Sequence, residues 1–152
     1  MYGGERPGAP RVIRENAAAG LPASEVTVAE LLKTRGYATG IVGKWHLGHL
    51  PPFLPMRHGF DLWFGLPYSH DMNMVVPRDK GLATAAFYDP KPEYWDVALM
   101  RNDAVVERPA DHRTLPRRYT DEAVRFIDDN KGGPFFLYLA HSLPHIPLAR
   151  SA

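Results

Sequence analysis

The sequence predicts an α/β fold, with helices packed on a parallel or mixed sheet. Three observations carry that expectation. Two short apolar runs, 37–42 and 135–140, have the character of strands buried within a sheet. Each follows a segment of helical periodicity that ends at glycine. Each leads into a polar loop that carries histidine, and ligands of open α/β sheets bind at such carboxyl ends.

The elements follow in order. Residues 1–24 are rich in Gly, Pro, Arg and Ala without a period, and they read as loop. Thr27-Val28-Ala29-Glu30 spells a capping box, which predicts a helix over about 28–35 with Leu31 and Leu32 on its apolar face. Gly36 suits the left-handed position that closes such a helix. Tyr37 to Val42 reads as a strand, broken by Gly43. Residues 49–95 hold Pro and Gly with interleaved Phe53, Phe60, Trp63, Phe64 and Tyr68, and they read as an ordered covering segment. Val97–Val106 is a hairpin candidate turning at Asn102-Asp103. Tyr119, Ala123, Phe126 and Ile127 mark one face of a helix over 116–130, and Thr120 or Asp121 would cap a shorter version. Lys131-Gly132-Gly133-Pro134 stops that helix. Phe135–Ala140 then reads as a fully buried strand.

Composition narrows the function. The chain has 152 residues, 18 basic against 17 acidic, for a net charge of +1, so no general pull toward nucleic acid or an acidic membrane is expected. Cysteine is absent, which excludes disulfides, cysteine-ligated metals and a cysteine-derived nucleophile within this sequence. The longest apolar run has six residues, Phe135–Ala140, far short of the roughly 20 that span a bilayer. The first residues lack an apolar signal-peptide core.

Chemistry concentrates at the strand exits. In an extended Gly43-Lys44-Trp45-His46-Leu47-Gly48, Lys44 and His46 share one side while Trp45 turns inward. A fixed cation beside a titratable one suits a tetrahedral oxyanion such as sulfate or phosphate. His141 and His145 have helical metal-ligand spacing, but Pro144 and Pro147 argue against a helix there. His145, between two prolines at a strand exit, suits a single rigid donor, a general acid for a leaving oxygen. Ser69-His70-Asp71 spells a triad in direct sequence, which chain neighbours cannot form. Ser69 instead reads as a hydrogen-bond donor to an oxyanion or a turn residue. Asp128-Asp129 and the basic set Arg6, Arg11 and Arg14 read as solvated.

These motifs together resemble one family. Gly20-Leu21-Pro22, Thr27 to Leu32, Gly36 to Gly40 and Gly43-Lys44-Trp45-His46-Leu47-Gly48 resemble a signature of the sulfatases, of the arylsulfatase and N-acetylgalactosamine-6-sulfatase type. The resemblance continues through Gly59-Phe60-Asp61, Gly65 to Asp71, Pro134 to Tyr138 and Pro144-His145-Ile146-Pro147. It implies a partial alkaline-phosphatase-like fold, a sulfuric ester hydrolase, a formylglycine nucleophile and a bound calcium or magnesium. It also implies that Lys44 contacts the sulfate and the formylglycine hydrate, and that His46 hydrogen-bonds that nucleophile. Ser69 would hold sulfate, and His145 would contact sulfate and the ester oxygen as leaving-group acid.

The departures shape the expectation. The family nucleophile lies in a Cys/Ser-x-Pro-x-Arg motif, which this sequence lacks, and the ligands of the metal are absent too. No metal ligand is therefore assigned here. Residues 1–152 are expected to be an internal part of a single sulfatase-like catalytic domain, inactive alone and prone to self-association through unpaired strands. The alternatives are a non-catalytic remnant, or a phosphonate or phosphate ester hydrolase of the same superfamily. The partner expected is a sulfate ester, without nucleic acid or a transmembrane segment. The family is often exported, periplasmic or lysosomal, and the compartment stays open. All of this requires Lys44, His46 and His145 to meet around one anion.

Overall fold

The computed structural model describes residues 12–76 and 80–147. Helix α1 (Val28–Lys33) begins where the capping box predicts. Thr27 Oγ1 accepts from the Glu30 amide at 3.1 Å, and the Thr27 amide donates to Glu30 Oε2 at 2.7 Å. Such a cap is worth about 1 kcal/mol. The buried residue of α1 is Ala29, whereas Leu31 is exposed and Leu32 only half-buried. The expected Leu31–Leu32 face is thus corrected. The helix is short and lies so close to the sheet that the small residue faces inward.

Strand β1 (Ala38–Gly43) starts directly after Gly36-Tyr37, one residue later than expected. The predicted covering segment after it contains more regular structure than expected. It holds strand β2 (Leu62–Gly65) and helix α2 (Lys80–Tyr88), together with short 3-10 turns. Four residues carry too little periodicity for β2 to stand out in the sequence, and pairing with β1 is what makes it a strand. The hairpin forms as read, from β3 (Leu99–Arg101) and β4 (Ala104–Glu107) around Asn102-Asp103, with Asn102 at φ 54°. Helix α3 (Leu115–Asn130) starts one residue earlier than expected, and Pro116 sits in its first turn, where a missing N–H costs nothing. Strand β5 (Phe135–Ala140) has the predicted bounds.

The five strands pair in the order β4-β3-β2-β1-β5. β1 runs parallel to both β2 and β5, and the hairpin adds antiparallel to β2, so the sheet is mixed. Both faces are covered. On one face Ala29, Ile41, Trp63, Trp45 and Phe60 form a cluster. On the other, Val42, Phe64 and Leu99 meet Leu115 and Tyr119 of α3. Gly40 lets α3 lie close on β1, because a methyl there would overlap the Phe126 ring. Glu122 is buried in α3 and accepts both guanidinium donors of Arg101 at 2.6 and 2.8 Å, which ties α3 to β3.

β5 departs from the sequence expectation. It is an edge strand, and Tyr138 and Leu139 are 50% and 43% exposed. An all-apolar composition encodes contacts on both faces, but here α3 covers only part of it. No helix among the described residues is long and apolar enough to cross a membrane.

Candidate functional site

Three strand ends converge before any functional side chain is placed. Gly43 ends β1 at φ 115°, a region that disfavours side chains, and a methyl there would overlap the Ala140 carbonyl at the end of β5. A methyl on Gly65, at the end of β2, would likewise overlap the Gly43 carbonyl. The exits of β5, β1 and β2 are therefore packed backbone against backbone, and the loops they release share one edge.

The loop after β1 stays anchored by its main chain. The amides of Lys44, Trp45 and His46 donate to the carbonyls of Ala140, Leu66 and Pro67 at 2.8, 2.9 and 3.1 Å. Trp45 turns inward as expected. Its Nε1 donates to the Phe53 carbonyl at 2.7 Å, and its ring stacks on buried His58. His46 does not continue the extended backbone, since its φ is 64°. The extended conformation expected through Gly48 thus ends at His46, which takes a left-handed backbone uncommon outside glycine. The two side chains nevertheless remain within electrostatic reach, and the Lys44 charge helps hold the His46 imidazole below its ordinary value.

His46 is half-buried, and Nε2 lies 3.1 Å from the Ile13 carbonyl. Because a carbonyl only accepts, that nitrogen carries the proton. Burial holds the imidazole below its ordinary value, and the Lys44 charge and His145 add to this against the Ile13 bond and Asp71. Lys44 is half-buried and makes no ion pair among the described residues.

Ser69 follows β2 on the neighbouring exit. Its Oγ is buried and lacks a hydrogen-bond partner among the described residues. The neighbouring members of the spelled-out triad do not bond to one another. His70 Nε2 instead meets the Pro147 carbonyl at 3.0 Å, and Asp71 Oδ1 stands 3.9 Å from His145 Nδ1. His145 is exposed on the loop after β5, with Nδ1 2.6 Å from the Ile146 carbonyl. It lies within electrostatic reach of both His46 and His70. Lys44, His46, Ser69 and His145 thus stand on the loops that leave three adjacent parallel strands at one edge of the sheet.

Other residues do not join. His141 turns to Tyr119, with ring centroids 5.8 Å apart. Asp128 pairs with Lys131 in solvent. Arg6 and Arg11 lie outside the described residues, and Arg14 lines a small recess beside His46. Two groups escaped the sequence reading. His112 is buried beside His70 at 5.3 Å, and burial first, then His70, lowers it to about 4. Nothing in Asp111-His112-Arg113 signals that contact, which arises only when the loop before α3 folds over the exit of β2. Asp71 was named in the sequence only as part of the rejected triad.

No group of three His, Asp or Glu side chains among the described residues is disposed to hold a metal ion. The residues present do not fit a metal centre, and no formylglycine precursor motif occurs in the sequence.

The fold defines an α/β protein whose candidate lysine and histidines stand on loops at one edge of a mixed sheet. A family model described as Sulfatase matches residues 6–152, and the chain belongs to the sulfatase family. It is 38% identical to human (Homo sapiens) arylsulfatase G, over 95% of this chain and 30% of that protein. It is 39% identical to mouse (Mus musculus) N-acetylgalactosamine-6-sulfatase, over 87% of this chain and 24% of that protein. Among solved structures, Ps i-CgsB in complex with k-i-k-neocarrahexaose superposes with a TM-score of 0.64 at 29% identity, covering 91% of this chain and 31% of that one. The chain therefore spans about a quarter to a third of the length of these relatives.

Proposed function

We propose that this chain supplies the anion-binding and proton-donating side of a sulfuric ester hydrolase site. The observation that carries the reading is the gathering of Lys44, His46, Ser69 and His145 at the exits of three adjacent strands, with Lys44 unpaired among the described residues. Membership in the sulfatase family selects sulfate among the tetrahedral oxyanions such a cluster suits.

In this reading the Lys44 ammonium meets the negative oxygens of the sulfate ester. The Ser69 hydroxyl, itself buried, donates a hydrogen bond that its low-dielectric surroundings strengthen. His46, held neutral near pH 7 by burial, bonds to the attacking group without adding charge. His145 is more exposed and lies 3.9 Å from the Asp71 carboxylate. It donates a proton to the ester oxygen as the S–O bond breaks, so the leaving group departs as an alcohol. The relatives' names extend the substrate class to aryl and amino-sugar sulfates.

The formylglycine nucleophile and calcium or magnesium of the family have no ligands among the described residues, and no step is assigned to them here. The chain by itself is accordingly expected to bind sulfate without turnover. The half-exposed apolar strand β5 favours its self-association, which gel filtration reports.

The test uses the intact enzyme. Lys44→Ala and His145→Ala are each expected to lower kcat/KM on an aryl sulfate by a factor on the order of 10² or more. Turnover within twofold of wild type removes the assigned roles. Hydrolysis of the matching phosphate ester in preference to the sulfate overturns the substrate class.

A further inference from the structure

His70 is buried to 1% exposure, yet it sits between two residues of the proposed site, Ser69 and Asp71. Its one hydrogen bond among the described residues crosses 77 positions, from Nε2 to the Pro147 carbonyl at 3.0 Å. That acceptor fixes the proton on Nε2 and leaves Nδ1 as a bare lone pair, buried without a partner among the described residues. The ring is walled by His112 on one side, centroids 5.3 Å apart, and by His145 on another, at 5.6 Å and 77°.

His145 has little else to aim it. Its side chain is 45% exposed. Its amide donates to Ser142 at 3.3 Å and its Nδ1 lies against Ile146, both within the same loop, so these bonds travel with the loop. Asp71 at 3.9 Å attracts without a directed hydrogen bond. The contacts that tie this loop's imidazole to the loop after β2 are therefore the His70 clamp on Pro147 and the His70 ring against His145.

We infer that His70 is a positioning residue, which aims the His145 imidazole by clamping the Pro147 carbonyl and abutting the His145 ring. The inference rests on the reading of His145 as the leaving-group acid. A misplacement of about 1 Å in such a group costs on the order of 10²-fold in rate. The plain alternative is a buried histidine that only satisfies a carbonyl, which would affect stability and leave the reacting geometry alone.

The experiment compares three variants of the intact enzyme. His70→Gln carries an amide N–H as far along the side chain as Nε2. His70→Asn carries it only as far as Nδ1, and His70→Leu carries none. Expected is a fall in kcat of about 10- to 100-fold for the Leu and Asn variants, with KM changed less than about threefold, and recovery to within about fivefold in the Gln variant. In parallel, NMR follows the His145 ring, which faces Asp71, His70 and His46. Its signals are expected to move in the Leu and Asn variants and to return in the Gln variant. Equal impairment of all three, or an unmoved His145 signal in the Asn variant, overturns the inference. If the wild-type enzyme does not turn over sulfate esters, the functional reading fails, while the NMR comparison still decides whether His70 aims His145. Should the Leu variant not fold, the Gln–Asn pair alone decides it.

Discussion

β1 and β5 lie side by side in parallel, each a six-residue strand that ends in a loop with a candidate histidine. Their fates differ. Ile41 and Val42 of β1 are completely buried between two side-chain layers, whereas Tyr138 and Leu139 of β5 stand near half exposure at the sheet edge. Their loops differ in the same sense. The exit of β1 is pinned by three consecutive main-chain bonds to its neighbours. The exit of β5 hangs on a side-chain bond from His70. A central strand passes its rigidity to its loop through the ladder, while an edge strand has a ladder on one side only and must recruit side chains.

The contrast can be broken first at Gly43, where the two strands touch. Gly43→Ala would press a methyl onto the Ala140 carbonyl at a backbone angle that disfavours side chains, parting β1 from β5 and releasing both loops. The expected result is loss of cooperative folding or destabilisation by more than about 3 kcal/mol, read by chemical denaturation. A stable variant with both loops intact would mean that the strand ends do not need this close approach.

Acidification gives a second, smaller effect, placed on the side-chain-anchored exit. His112 is held neutral beside His70 and is lowered to about 4 from an ordinary 6.5. The unfolded chain takes up a proton first as pH falls. The contribution of neutral His112 is thus fully present above about pH 6.5, shrinks as pH falls, and is gone below about pH 4. The loss is on the order of 3 kcal/mol. His112→Gln should flatten the stability curve in that window, and an unchanged slope between pH 6.5 and 4 would contradict it.

Truncation sharpens the strand comparison most directly. Ile41→Ala is expected to cost about 2–5 kcal/mol, because the site is sealed and leaves a cavity. Leu139→Ala should cost under about 1 kcal/mol, since part of that side chain already meets water. Equal costs, measured by urea unfolding, would show that β5 is covered in solution.

Much of the fold was legible because its signals are local. The capping box at Thr27–Glu30, the Asn102-Asp103 turn and the stripe of Tyr119, Ala123 and Phe126 each act through neighbours a few residues away. Strand β2 was not legible, because four residues gain strand character only from pairing with β1 and β3. The candidate site was legible in part. Lys44, His46, Ser69 and His145 stood in motifs, whereas His112 approaches His70 through a fold-over that leaves no pattern.

The amino-acid order by itself determined the α/β class, the helix and strand that precede the Lys44 and His145 loops, and the basic character of those two loops. Propensity, capping and periodicity are short-range, so they survive outside the folded state. Only the tertiary structure decided which apolar strand is central and which is edge. It also decided that His46 takes a left-handed backbone, and that a buried imidazole at position 70 reaches across 77 residues to the loop of His145. Those outcomes depend on which surfaces find partners, and composition alone does not record the partner.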